Sequence, residues 1–222
     1  MAANKSACCD PGRPWSYSVF GSILQRVTRM SWELSYKAGV VPWVRPGLNP
    51  AIDVWFPASE PDPMTGLRIF VPGCGTSPEP VAFARRGARV TAMDISSTAI
   101  SKQRGWAERA SVRGLDLIVG DMLAWRPAER FDAIYEQTAL CAIPQAERAA
   151  YERMAFEALR PGGRLFALFM QTNRAAGPPF DCGLEAMQRL FGPSRWRWTD
   201  GEPVISPHPI GVTEWGYRLE RI

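Results

Sequence analysis

The chain has 222 residues, of which 46% are hydrophobic and 22% charged, a composition typical of one well-cored globular domain and too short for two full-sized ones. Its net charge of +4 comes from lysines and arginines scattered along the sequence, which does not indicate a nucleic-acid groove. No run of about 18 apolar residues offers a membrane span, so the sequence argues against a membrane protein.

The first 60 residues predict a loose tail followed by a helical cap. Residues 1–15 are polar and rich in Gly and Pro, and they lack the apolar core of a secretory signal, so we expect a cytoplasmic protein with reduced cysteines. Apolar residues spaced by three and four from 18 to 38 predict an amphipathic helix, and "AIDVWF" at 51–56 predicts a second. We assign residues 16–60 to a cap or lid.

Short apolar runs alternate with helix-length segments from residue 67 onward. "LRIFV" (67–71) and "FDAIYEQ" (131–137) are two of these strand-sized runs. Strands alternating with helices predict an α/β fold in which helices cover both faces of a mostly parallel sheet. The final "TEWGYRLERI" (213–222) predicts one antiparallel edge strand. We therefore predict a single domain, 1–222, whose Rossmann-like core spans 67–222.

The first strand of this core runs into a glycine-rich turn, "PGCGTSPEP" (72–80). In doubly wound folds a ligand lies beyond the carboxyl ends of the strands, and such a turn lets backbone approach it. We expect Ser77 to cap the next helix with Pro78 at its first position, which leaves backbone N–H groups free near Gly73, Cys74 and Gly75. A tight turn without a ligand is the alternative.

Two acids at later strand ends indicate a nucleoside. Asp94 follows Gly73 by 21 residues, at a position where a carboxylate accepts hydrogen bonds from a ribose diol. Asp121 in "IVGDM" can accept a hydrogen bond from an adenine amino group while Met122 lies against the ring. A dinucleotide fingerprint needs a third glycine where Pro78 stands, so NAD is disfavoured. Adenosine without a pyrophosphate indicates S-adenosylmethionine.

Six segments then resemble the thiopurine S-methyltransferase family and its related thiol and halide methyltransferases. In chain order they are "VPGCG", "MDIS", "GDMLAW", "FDAIYEQTALCAIP", "LRPGGRLFALFM" and "GPPF". The resemblance runs from about Trp32 to the C-terminus, and "TALCAIP" and "GPPF" are its most specific parts. It implies a class I methyltransferase fold and an enzyme that methylates a soft nucleophile, a thiol, thione or thiopurine-like heterocycle, with S-adenosylmethionine.

The resemblance also implies where the cofactor binds. The implied contacts fall on Trp32, Trp43, Gly73, Cys74, Gly75, Asp94, Ile95, Asp121, Met122 and Gln137. Two positions depart from the family pattern: Val44 follows "PW" where relatives often have Asp, and Gln137 stands where the thiopurine enzymes have Arg. Both changes remove a charge near the expected acceptor. N-methylation of a neutral heteroaromatic ring in secondary metabolism is therefore an alternative, and a non-catalytic sensor module that binds the cofactor is another.

Methyl transfer from a sulfonium is a direct displacement, so the protein mainly aligns the acceptor and excludes water. Tyr135 and Glu136 are candidates to move a proton or orient the acceptor, although Glu136 can instead form a structural hydrogen bond. We expect Tyr36, Trp43 and Phe180 to line the acceptor pocket, where aromatic faces can also attract the sulfonium.

Cysteine and histidine usage argues against other chemistry. The five cysteines form no C-x-x-C pair and His208 is the one histidine, so we predict no metal site. Without a histidine nearby in sequence, Cys74 is not expected to be a nucleophile. We expect His208 in a surface or lid loop, and a monomer or weak homodimer that takes a small-molecule methyl acceptor and binds neither nucleic acid nor membrane.

Overall fold

The computed structural model describes residues 29–199 and 201–222. The predicted tail (1–15) and the start of the predicted cap (16–28) lie outside the described residues. Of the helix predicted from residue 18 onward, the structure describes the part from Arg29 to Ala38.

The core is one eight-stranded mixed sheet. Its strands are β1 (Arg68–Pro72), β2 (Arg89–Asp94), β3 (Leu115–Val119), β4 (Phe131–Gln137), β5 (Leu159–Gln171), β6 (Trp196–Trp198), β7 (Val204–Pro207) and β8 (Thr213–Arg221). They lie in the order β3-β2-β1-β4-β5-β8-β6, and β7 also pairs with β8. Strands β1 to β5 are mutually parallel, and β8 runs antiparallel to β5, β6 and β7.

Helices cover both faces of this sheet. They are α1 (Arg29–Ala38), α2 (Ala51–Trp55), α3 (Glu79–Arg85), α4 (Ser97–Arg109), α5 (Arg148–Ala158) and α6 (Leu184–Leu190). One apolar cluster joins Phe83 of α3 and Ile100 of α4 to the sheet, and a second joins Tyr151 of α5 and Phe191 after α6 to it. The predicted α/β fold is confirmed.

The antiparallel strand predicted at the C-terminus exists, but it does not form the outer edge by itself. Strand β8 lies between β5 and the short strands β6 and β7. The sequence analysis missed both short strands because three or four residues are too few to show an alternating pattern.

Loops at one edge of the sheet bring distant parts of the chain together. The carboxyl ends of β1, β2, β4 and β5 meet there, and because β8 is antiparallel, its first residue Thr213 lies opposite Gln171 at the same edge. We call this the carboxyl edge. The chain order reverses between β1 and β4, which makes this the topological switch point where ligands of open α/β sheets bind.

The described part of the cap is held to the core next to this edge. The Glu33 carboxylate of α1 accepts hydrogen bonds from Ser96 Oγ at 2.6 Å, Thr98 Oγ1 at 2.7 Å and Thr98 N at 3.1 Å, around the start of α4. These bonds, the Ser96 bond foremost, lower the pKa of Glu33 to about 2. A carboxylate is also favoured near a helix N-terminus by the helix dipole. Helix α1 therefore docks on the start of α4, directly after Asp94.

The predicted N-terminal cap of α3 is wrong. Ser77 does not cap α3: the N-cap residue is Pro78, and no side chain caps it by a hydrogen bond. Ser77 N instead donates to Cys74 O at 3.1 Å, which closes the glycine turn before the helix begins.

Within the described residues, no helix has the length and apolar character needed to cross a membrane.

Candidate active site

The glycine turn lies between the cap and the segment that follows β4, close to both. Gly73 and Gly75 have φ values of +57° and +49°, which favour glycine. A Cβ on Gly73 would lie 2.8 Å from Ala139 Cβ, and one on Gly75 would lie 2.2 Å from Tyr36 Oη. Neither position has room for a side chain, so backbone is what the turn offers to a ligand.

Asp94 holds the turn and retains capacity for a ligand. Its two carboxylate oxygens accept one hydrogen bond each, from Gly75 N and from Ser96 N, both at 2.8 Å. Burial raises the pKa of this carboxyl, and the backbone hydrogen bonds oppose the increase. An ionised carboxylate has about four acceptor sites, and Ile95 N also donates toward this one, so about one or two remain for the hydroxyls of a ribose. This fits the predicted nucleoside.

The buried thiol of Cys74 is part of the turn and is not activated. Burial raises its pKa well above the ordinary value, and the nearby Asp94 carboxylate adds to this increase. Since the thiolate is the reactive form, the geometry agrees with the expectation that Cys74 is no nucleophile. Gln103 of α4 supports the turn from the other side, where its Nε2 donates to Gly75 O at 3.1 Å and to Ser77 O at 2.7 Å.

The predicted adenine contacts lie on neighbouring strand ends. Asp121 follows β3 and accepts a hydrogen bond from Leu123 N at 3.0 Å, which fixes the turn there. Met122 is half-buried, and its Cε would lie 4.0 Å from a Cβ on Gly73. Ile95 is half-buried directly after Asp94. The structure therefore brings Met122 to the glycine turn.

Three cap aromatics form one group beside the turn. The ring centroids of Trp32 and Trp43 are 5.3 Å apart in an edge-to-face arrangement, and those of Tyr36 and Trp43 are 6.0 Å apart. Trp43 Nε1 donates to Tyr36 Oη at 3.3 Å. Burial raises the pKa of Tyr36, so its hydroxyl stays neutral near Gly75. We call these three side chains, which the structure brings together beside the glycine turn, the aromatic wall.

Residues of β4 divide between the core and the carboxyl edge. Tyr135 is buried and donates its hydroxyl proton to Gln137 Oε1 at 2.7 Å, while Gln137 itself is half-buried. Glu136 is buried on the other face and accepts hydrogen bonds from Ala139 N, Leu140 N and Tyr151 Oη at 2.7 to 3.1 Å. Its desolvation raises the pKa to about 7 in spite of these bonds.

Phe180 lies beside the segment that follows β4. Its backbone N donates to Cys141 O at 2.7 Å, and the ring is half-buried against Gly177. The "GPPF" segment is thereby held next to the end of β4, as a wall of an acceptor pocket requires.

Several buried polar residues at this edge were missed by the sequence analysis. Asn49 of the cap donates its backbone N–H to Glu79 Oε1 at 3.0 Å and its Nδ2 to Glu214 Oε2 at 3.2 Å. Arg45 donates to Ser206 Oγ at 2.8 Å and to the carbonyl of Pro207. Glu79 is the first residue of α3, where an acid is common, so neither Glu79 nor Glu214 carried a local sequence signal of its burial.

His208 corrects a further expectation, because it is buried rather than on the surface, with 4% exposure. Desolvation lowers its pKa to about 4, so the ring is neutral at physiological pH.

In the described part of the chain, no cluster of three or more His, Cys, Asp or Glu side chains is arranged to hold a metal ion.

Replacing Gly73 with alanine is expected to destabilise the protein by about 2–4 kcal/mol, combining left-handed backbone strain with the overlap on Ala139. Gly66→Ala is the matched control, since Gly66 also has positive φ, +78°, but nothing lies within 4 Å of its missing Cβ. Urea denaturation of both variants measures the difference. Equal losses of stability would show that the turn can move away from Ala139.

Comparisons with known proteins agree with this geometry. The family model described as thiopurine S-methyltransferase matches residues 27–208. The chain is 29% identical over 180 residues to a probable thiol methyltransferase 2 of Arabidopsis thaliana, covering 80% of this chain and 78% of the relative. It is 26% identical over 194 residues to a thiopurine S-methyltransferase of Aliivibrio fischeri (strain MJ11), covering 80% and 89%.

Solved structures share the fold. A chain from a study of the conversion of a disulfide bond into a thioacetal group during echinomycin biosynthesis superimposes with a TM-score of 0.70 at 20% identity, covering 87% of this chain and 91% of that one. The magnesium protoporphyrin IX methyltransferase of Synechocystis, solved with bound S-adenosylmethionine, gives 0.69 at 14% identity, covering 89% and 99%. With the family match over most of its length, the chain belongs to the thiopurine S-methyltransferase family of S-adenosylmethionine-dependent small-molecule methyltransferases.

Proposed function

We propose that this enzyme methylates the sulfur of a flat, largely uncharged small molecule, such as an aromatic thiol or a thione. The observation that carries the proposal is the group of Trp32, Tyr36 and Trp43, which lies beside the glycine turn. A planar ring that packs against aromatic faces is removed from water, which favours its binding by about 25 cal/mol for each Å² of apolar area buried. The relatives support a sulfur acceptor, because their names refer to thiol, thiocyanate and thiopurine substrates.

We assign the cofactor to the residues around the glycine turn. The proposed contacts are Trp32, Trp43, Gly73, Cys74, Gly75, Asp94, Ile95, Asp121, Met122 and Gln137. When bound there, S-adenosylmethionine supplies an electrophilic methyl group on a sulfonium. Asp94 would hold the ribose, and the aromatic wall would cover the sulfonium with a cation–π attraction of about 0.5–2 kcal/mol.

We assign the acceptor to the space between the cap and the end of β4, lined by Tyr36, Trp43 and Phe180. Tyr135 orients Gln137 through its hydrogen bond, and burial raises its pKa well above the ordinary value, which disfavours Tyr135 as a base. All the hydrogen bonds shown for Glu136 go to its own segment and to α5, so we propose that it shapes the turn after β4 rather than touching the acceptor.

Electrostatics at the carboxyl edge favour an uncharged acceptor over a small anion. The buried acids there are Glu79, Asp94, Glu136 and Glu214. Arg45 faces Glu79 and Glu214. Two of its nitrogens already donate hydrogen bonds to Ser206 and Pro207 of β7. An inorganic anion loses its hydration on entering such a site without gaining a free positive partner from the described part of the cap, 31–60.

The test is competitive methyl transfer from labelled S-adenosylmethionine to aromatic thiols against iodide, thiocyanate and hydrosulfide. We expect kcat/KM to be about tenfold or more higher for the aromatic thiols, and Trp43→Ala to lose most of this preference. Trp106→Ala, in the second half of α4, is the matched control. Faster turnover of the inorganic anions would contradict the acceptor class proposed here.

We further propose that the enzyme acts in the cytoplasm as a monomer or weak homodimer, and that it binds no nucleic acid. Size-exclusion chromatography with light scattering over a range of protein concentrations measures the oligomeric state.

A further inference from the structure

Thr138 has an unusual backbone conformation at the carboxyl edge. It directly follows β4 with φ of +63°, in the left-handed region that a β-branched residue rarely adopts. Such strain persists only where the surrounding structure imposes it, and it is concentrated at functional sites. The side chain is half-buried, so its hydroxyl lies at the boundary between the core and the site.

The position of Thr138 is fixed relative to the proposed cofactor site. The next residue, Ala139, is the one that a Cβ on Gly73 would overlap, and its backbone N donates to Glu136. Gln137, on the other side, is held by Tyr135. Thr138 is therefore one residue away from contact with the glycine turn.

A buried acid lies behind this hydroxyl. Glu214, near the start of β8, has 0% exposure, and its Oε1 is 3.4 Å from Thr138 Oγ1. Its other oxygen, Oε2, accepts a hydrogen bond from Asn49 Nδ2. The end of β4, the start of β8 and the cap thus converge so that a buried carboxyl contacts a half-buried hydroxyl at the edge where the acceptor is expected.

The charged and titratable groups around Glu214 come from every neighbouring element. Arg45 of the cap loop, Tyr135 and Glu136 of β4, and Cys141 after β4 face Glu214 itself, whereas Glu79 of α3 and His208 of the β7–β8 turn face Arg45. Burial raises the pKa of Glu214 to about 8, and Arg45 opposes this increase. A carboxyl with this pKa is suited to exchanging a proton near neutral pH.

Building on the proposed function, we propose that the Thr138 hydroxyl contacts the methyl acceptor and relays the acceptor's proton to the carboxylate of Glu214. The acceptor's lone pair forms the bond to the methyl carbon as the carbon–sulfur bond breaks, and the electron pair of that bond stays on the sulfur. The acceptor's proton passes to Thr138 Oγ1 while the hydroxyl proton moves to Glu214 Oε1. Thr138 is then the catalytic residue, and Glu214 the positioning residue behind it.

The relay predicts the class of acceptor. It serves an acceptor that enters with its proton in place, such as a neutral thiol or a ring N–H, and it has no use for a halide ion, which brings no proton. The site is thereby specialised for weakly acidic acceptors at physiological pH.

The first experiment measures kcat/KM against pH for a benzylic thiol, which still carries its proton near neutral pH. We expect the wild type to rise toward a plateau above pH 8, and Glu214→Gln to lose that rise together with at least tenfold of the plateau rate. Thr138→Val should resemble Glu214→Gln, while Thr138→Ser should restore most of the rate. Glu220→Gln, the same change farther along β8, is the control and should match the wild type. Iodide turnover by the wild type, in which the acceptor brings no proton, should lack the rise with pH.

The second experiment needs neither acceptor nor cofactor. Because the folded protein raises the pKa of Glu214 from 4.5 to about 8, its contribution to stability is complete below pH 4.5 and is lost as the pH rises through 8. Urea denaturation from pH 4.5 to 9 should show this loss in the wild type and in Glu220→Gln. The loss should be smaller in Glu214→Gln, in which Glu136, with its pKa raised to about 7, still contributes.

The outcomes separate the two proposals. An unchanged pH profile in an active Glu214→Gln enzyme would overturn the relay and leave the proposed function standing. Equal pH dependence of stability in Glu214→Gln and the wild type would overturn the relay as well. If cofactor binds but no sulfur acceptor is methylated by any variant, the proposed function fails and the relay fails with it.

Discussion

Asp94→Ala should weaken the binding of S-adenosylmethionine by about 10²–10⁴-fold. Two charge-assisted hydrogen bonds to the ribose are lost, each contributing about 1.5–3 kcal/mol, and each 1.4 kcal/mol is a factor of ten in affinity. The variant also leaves Gly75 N and Ser96 N without their carboxylate acceptor, which loosens the glycine turn. Isothermal titration calorimetry measures the dissociation constants.

Two further variants make this result specific. Asp116→Ala removes an exposed carboxylate from the neighbouring strand β3 and should bind the cofactor like the wild type. Asp94→Asn retains one carbonyl oxygen and should lie between the wild type and Asp94→Ala. An unchanged dissociation constant in Asp94→Ala would show that the ribose binds elsewhere.

Glu136→Ala is expected to lower the free energy of unfolding by about 3–5 kcal/mol. The change leaves three buried donors, Ala139 N, Leu140 N and Tyr151 Oη, without an acceptor. It also removes the carboxylate charge that faces the buried guanidinium of Arg148, and a buried charge left uncompensated is strongly destabilising. Urea denaturation at pH 7 is the measurement.

The control and the conservative variant separate a structural role of Glu136 from a chemical one. Glu157→Ala removes an exposed ion pair with Arg126 and should cost at most about 1 kcal/mol. Glu136→Gln keeps a side-chain oxygen for Ala139 N and Leu140 N, so it should fold and retain methyl transfer within a few-fold. A folded Glu136→Gln enzyme without activity would assign the chemistry to Glu136 after all.

The sequence was sufficient to predict the mostly parallel sheet and the family of the protein. Alternating strand and helix periods reflect local burial, which neighbouring residues in the sequence largely determine. One strand–helix–strand unit contains Gly73, Gly75 and Asp94, so their spacing in the sequence indicates where they lie relative to one another. The order of the segments, including "TALCAIP" and "GPPF", was enough to predict the family, which the match over residues 27–208 confirms.

The tertiary structure decided which polar groups meet at the carboxyl edge. Thr138 and Glu214 are 76 residues apart, and they meet because β8 inserts antiparallel beside β5 with short strands outside it. Asn49 reaches Glu214 across 165 residues in the same way. Local periodicity carries no information about such pairings, since they depend on strand order and register. The residues proposed to hold the cofactor could therefore be chosen from the sequence, whereas the buried acid proposed to serve the acceptor was visible only in the folded chain.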